Sequence, residues 1–246
     1  MSDSDLDAAS LGEAAYRRLR ADIVSCRLAP GERITERGLA AATGFGMSPI
    51  RDALRRLDHD GLVRTLPRKG YQVKPLTIKT VDDLFDFWSV LGPEVARRGL
   101  PRTTDEQIER IIAGRDEIMR LTKETGHTRE VALRTVEILD EMFTTLAEAA
   151  DNDYLTNAHV RVSAELARVW TLVAESELMD PGVELPVQQE GWKEDILRRD
   201  GAKCAQLVRA HIEQSHNRVL RMLVRWPSVI AAEVVPLGRT ARQRQG

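Results

Sequence analysis

The chain has 246 residues, 42% of them hydrophobic, 30% charged and only 4% aromatic, with a net charge of −2. That length fits one or two domains, and the scarcity of aromatic and alternating β-branched residues favours helices over sheet. Cys26 and Cys204 lie far apart and outside any CxxC pattern, no run of about 18 apolar residues occurs, and the acidic start MSDSDLDAASLGEAA lacks the regions of a signal peptide; neither a disulfide framework nor a membrane span is expected, and a cytoplasmic protein is.

The charge is unevenly spread. Residues 10–75 hold 13 Lys and Arg against 7 Asp and Glu, whereas residues 76–246 hold 23 against 28. A basic first third on a mildly acidic remainder points to two domains with different partners.

In chain order, Leu11, Ala15, Leu19, Ile23 and Val24 have helical spacing, with Ser10 as the expected N-cap. Pro30-Gly31 ends that helix. Thr35 is placed to cap a short second helix, which stops at Gly44. Ser48 is expected to cap a third, with Pro49 at its first position, running to about Asp60 and ending at Gly61. Its inner stripe is Ile50, Ala53, Leu54 and Leu57. Arg51, Arg55 and Arg56 point elsewhere, and the free amides at its start suit a phosphate. The runs LVRTL and YQV, joined by the basic turn PRKG, read as a hairpin.

From Thr80 onward the pattern predicts helices near 80–98, 104–124, 128–150, 152–176, 187–199 and 201–225. Val131, Val136, Leu139, Phe143 and Leu146 form the clearest stripe. The expected fold is mainly α: an N-terminal winged helix-turn-helix (three helices plus a small β-hairpin) over 10–75, joined to a C-terminal all-α helical bundle over 80–225, with a flexible tail at 226–246.

The stretch LAPGERITERGLAAATGFGMSPIRDALRRLDHDGLVRTLPRKGYQV resembles the DNA-binding domain of the GntR family of bacterial transcription regulators. It has the proline-glycine turn, a helix containing LA, the run PIRDALRRL, then GLV and a wing with a basic-glycine tip. The second domain resembles the FadR-like branch of that family, of FCD type. The resemblance implies DNA contacts from Arg37, Arg51 and the wing residues Arg68 and Lys69; Arg55, on the same helix as Arg51, is a further candidate along the DNA backbone. Met47 and Ser48 stand where the family often carries an arginine and a threonine, so Met47 removes one guanine reader and implies a different operator. It further implies a twofold homodimer on an inverted-repeat duplex operator, a small-molecule effector such as an organic acid bound in the bundle, and repression as the commoner mode.

Many members of the FCD branch hold a divalent metal in the bundle on an aspartate, a histidine four residues later, and two histidines from later helices. LDEMFTTLAEAADN matches that first stretch, with Asn152 at its asparagine position. Asp140 is present, but Thr144 takes the first histidine's place, Gln189 takes the second's, and His211 keeps the last. Two neutral side chains replace imidazoles, so no metal is expected to be required; Asp140 and His211 are the ligands if one binds. The polar set Asp140, Thr144, Gln189 and His211, with Trp192 one turn beyond Gln189, is the expected effector pocket. His59, His127 and His159 are expected to be structural. HExxH, P-loop and GxSxG motifs do not occur, so an enzyme is not expected. The alternatives are a winged module for protein contact and a metal-dependent helical-bundle enzyme.

Overall fold

The computed structural model describes residues 3–126, 128–177 and 192–223, and side chains over 11–126, 128–174 and 192–223. Gln189, His127 and the segment 226–246 lie outside the described residues.

The first helix, α1 (Asp3–Val24), begins before the sequence signal: Ser10 lies inside it and does not cap it. Strand β1 (Arg33–Ile34) leads into α2 (Glu36–Thr43), where the Thr35 hydroxyl accepts from the Gly38 amide at 3.1 Å. Gly44, at φ +77°, ends α2 in the left-handed conformation.

Helix α3 (Met47–His59) starts one residue earlier than its cap signal. Gly46 is the N-cap and makes no side-chain capping bond, so Ser48 falls within the first turn. Its extended backbone suffices because Ile50 already donates to the Gly46 carbonyl at 3.2 Å. Pro49 still costs no hydrogen bond there, since first-turn amides have no intrahelical acceptor.

The wing is β2 (Val63–Leu66) and β3 (Gly70–Val73), antiparallel, with Leu66 opposite Gly70. β1 adds to β3 with Ile34 opposite Tyr71, giving the order β1-β3-β2. Two residues carry no alternation, which is why β1 has no sequence signal. Gly70 sits at φ +79°, and a Cβ there would come within 2.7 Å of the Ile34 carbonyl oxygen. Only glycine fits both demands. The buried faces of α1, α2, α3 and the sheet meet at Leu19, Ile23, Leu39, Ile50, Leu54 and Val73.

The second core belongs to α4 (Ile78–Gly99), α5 (Asp105–Thr125), α6 (Arg129–Ala149), α7 (Asp153–Glu177), α8 (Trp192–Leu197) and α9 (Gly201–Leu223), with a 3-10 turn at Leu100–Arg102. Threonines open three of these helices: Thr77 and Thr104 in reciprocal capping boxes, Thr128 through its hydroxyl. α4 is the central element, packed against α6, α7 and α9. Gly99 lets its end meet α6, for a Cβ there would stand 2.0 Å from the Leu146 oxygen.

The winged unit docks on α7. Ala164 joins its core. Arg168, with 0% of its side chain exposed, ion-pairs with Glu165 at 2.9 Å and donates to the Lys74 carbonyl. Lys74 returns an ion pair to Glu165 at 3.1 Å, and Thr171 donates to the Val24 carbonyl at 3.4 Å.

Candidate nucleic-acid interface and bundle cavity

Arg37, Met47, Ser48, Arg51, Arg55, Arg68 and Lys69 are all exposed. Arg51 reaches from α3 to Glu36 at the start of α2 in a forked pair, Nη2 to Oε2 at 2.9 Å and Nε to both oxygens. That fork holds the Glu36 carboxyl below its usual range and raises Arg51, with the Tyr71 side chain close enough to contribute. The start of α2, the outer face of α3 and the base of the wing therefore adjoin one another. The wing tip carries its charge on a bent backbone: Lys69 donates to the Leu66 carbonyl at 2.9 Å, and Arg68 takes φ +61°.

The two neighbouring arginines of α3 divide. Arg55 stays at the surface, 3.8 Å from Asp52. Arg56 turns back to α1, pairing with Glu13 at 2.6 Å and covering the Tyr16 ring at 3.9 Å. Tyr16 in turn donates to Asp60 at 2.6 Å. Arg56 thus ties α3 to α1.

In the bundle, a cavity of about 100 Å³ opens among α4, α6, α7 and α9. Phe85, Trp88, Phe143 and Trp170 form the aromatic part of its wall; its polar lining includes Asp140, His159, Ser163, His211, Ser215 and Arg218. Asp140 and His211 are brought to the same cavity. Thr144 and Trp192 do not line it. Thr144 sits behind His159, 3.2 Å from Nε2, while Trp192 lies beneath the Arg115 guanidinium at 3.8 Å. Trp192 therefore does not narrow the cavity.

Of the expected polar set, Asp140 and His211 line the cavity, joined there by His159, Ser163, Ser215 and Arg218. His159 is only 2% exposed, and its Nδ1 has no hydrogen-bond partner. Burial lowers its pKa, against the opposing pull of Asp140. His211 is pushed down to about 4, first by burial and then by the charge of Arg115. Both imidazoles are neutral at pH 7. Ser163 donates to Asp140, and Arg218 is pushed down to about 10 by burial and by Arg221. The only signal for His159 was a histidine on the apolar side of α7, which more often marks core.

Among the described residues the donors at this cavity do not assemble a metal site. Asp140 is engaged by Ser163, the Thr144 oxygen faces His159, and no group of three ligating His, Cys, Asp or Glu atoms forms there among the described residues. No described helix is long and apolar enough to cross a membrane.

Residues 11–73 match the family described as bacterial regulatory proteins, gntR family, and residues 83–214, more than half the chain, match the FCD domain. The chain belongs to the GntR family. Among relatives of this GntR protein, the Nta operon transcriptional regulator of Aminobacter aminovorans is 27% identical over 201 residues, covering 81% of this chain and 90% of that one. The HTH-type transcriptional repressor GlaR of Escherichia coli (strain K12) is 24% identical over 203 residues, covering 80% and 90%. Two solved structures share the GntR fold along most of their length. Escherichia coli McbR/YncC has a TM-score of 0.69 at 13% identity, and a GntR protein from Rhodococcus sp. RHA1 has 0.64 at 16%; each covers 86% of this chain and 98% of its own. This GntR protein is a DNA-binding transcriptional regulator with an FCD domain.

Proposed function

We propose that the chain is a repressor whose hold on its operator is set by a small molecule in the bundle cavity. The observation that carries this reading is the position of α7. One side of α7 lines the cavity through His159, Ser163, Ala167 and Trp170. Its other side holds the winged unit through Ala164, Glu165, Arg168 and Thr171. A ligand that shifts α7 shifts the reading head, which is the differential contact a switch needs.

On the DNA side, Arg51 and Arg37 read or grip the major groove at the meeting of α2 and α3. Met47, Ser48 and Arg55 flank that contact, and Arg68 and Lys69 reach along the wing. Arg51 enters already oriented by Glu36, so less rotamer freedom is lost on binding. The family name of GlaR, a repressor, supports the sign of regulation.

The effector is a small organic acid with a largely apolar body. Four aromatic rings accept the body; Arg218, Ser215 and the neutral His159 and His211 supply the hydrogen bonds, with Asp140 as the acceptor. Two copies assemble to read an inverted repeat. Phe87, Tyr154 and Val160, respectively 51%, 89% and 50% exposed, line one groove on α4 and α7 and supply an apolar face for that contact.

The test is selection of duplexes from a random library by the full chain, followed by titration of small carboxylic acids against the selected site. The reading expects an inverted repeat, steep salt dependence, and at least one acid that shifts affinity in the native protein but not in His159→Leu. Failure to enrich any duplex at low salt would sink it.

A further inference from the structure

A second set of ligating groups lies outside the cavity. Asp82 and Asp86 stand one turn apart on α4, so their carboxylates leave the same face. His216 reaches that spot from α9. Two carboxylate oxygens and one imidazole nitrogen lie within 4.8 Å of one another.

The imidazole is fixed in place. Its ring stacks on Phe85 with centroids 5.0 Å apart and planes 2° from parallel. His216 Nε2 is shielded from solvent and stands 2.9 Å from an Asp82 oxygen, yet it makes no hydrogen bond of acceptable direction. The distance suits a bond and the direction does not. The Nε2 atom therefore keeps its lone pair or proton unspent on a directed bond, within reach of both carboxylates.

The surrounding charges favour a cation. Lys79 is taken by Asp83 at 2.6 Å, and among the described residues Asp86 makes no ion pair within 4 Å. Two carboxylates a turn apart repel each other, by an amount similar to what an opposite pair gains. His216 alone does not balance them.

We propose that Asp82, Asp86 and His216 bind a divalent transition-metal ion of the zinc class, clamping α4 to α9. One imidazole with two carboxylates suits zinc and its neighbours, whereas calcium and magnesium take oxygen alone. Ligands sit roughly 2 Å from such an ion, so the donors must draw together. Asp82 and Asp86 are exposed enough to move, and His216 is the fixed anchor. The remaining position is open to water. The ion would stiffen α4 just beyond its Thr77 cap, beside Phe85, which also forms cavity wall. This site is separate from the cavity and does not rest on the effector reading.

The experiment is zinc titration of the metal-stripped full chain by calorimetry, with elemental analysis after dialysis, on the native protein and on His216→Gln, Asp86→Asn and His211→Gln. The proposal expects one zinc per chain, weakened more than about tenfold by either of the first two changes and retained by His211→Gln. Zinc should also raise the melting temperature of the native chain and of His211→Gln, but not of His216→Gln. Asp86 is exposed, so Asp86→Asn keeps the test open if His216→Gln fails to fold. Absence of stoichiometric zinc overturns the site. So does zinc that is lost in His211→Gln but kept in His216→Gln, which would put the ion in the cavity instead.

Discussion

Arg51 combines two roles in one side chain. Its fork to Glu36 ties α3 to α2, and the same guanidinium is the base contact proposed above. Arg51→Ala is expected to weaken operator binding by about 1–3 kcal/mol, with little loss of fold because the pair is largely exposed. Binding isotherms on native and altered operators check this, and equal losses on every sequence would demote Arg51 to a phosphate contact. The cavity histidines give a pH prediction. His211 has an ordinary pKa of 6.5 and is held at about 4 in the fold. The unfolded chain therefore takes up a proton that the native chain refuses. Its contribution to stability is full above pH 6.5, falls as pH drops toward 4, and is level below. In thermal unfolding the native protein should lose stability relative to His211→Gln as pH falls from 6.5 toward 4. At this scale the sequence was half legible. Arg51 and Asp140 stood in recognisable motifs, but nothing adjacent in the chain marks Ser163 or His159 as partners for Asp140 and Thr144. Those pairs span 23 and 15 residues and exist only because α6 packs on α7.

Among the elements, α2, α3 and the wing followed their local signals closely, since caps, glycine stops and apolar stripes act within a few residues. The departures have local causes. Ser48 is not the cap because α3 begins two residues before Pro49, at Met47, behind Gly46, whose extended backbone serves without a side chain. β1 arises only when β3 offers a partner edge. Gly70 makes that pairing possible, so Gly70→Ala should cost about 1–3 kcal/mol from backbone strain and contact with Ile34. Chemical denaturation measures the cost, and an unchanged midpoint would mean that the wing forms without β1. Helix α7 is the element whose role was least visible. Its stripe predicts a helix and says nothing of two opposed docking faces. Arg168→Ala removes a buried charge from the joint between α7 and the winged unit, leaving Glu165 with Lys74 alone. We expect operator affinity to become insensitive to cavity ligands while the bundle stays folded; a preserved response would place the coupling elsewhere.

For the whole molecule, the expected assembly is a twofold dimer through the exposed groove of Phe87, Tyr154 and Val160. Phe87→Glu should give monomers by light scattering and flatten the dependence of operator affinity on protein concentration. An intact dimer would move the interface to another face. The amino-acid sequence by itself determined the helical class, the winged head and the family, because these rest on short-range periodicity, turn chemistry and motif spacing. Only the tertiary structure decided that Arg56 turns back onto α1, that His159 enters the cavity while Trp192 stays out, and that Asp82, Asp86 and His216 come together. Each of these depends on which faces of distant helices meet, and that packing acts over separations of up to 134 residues, a distance no local pattern encodes.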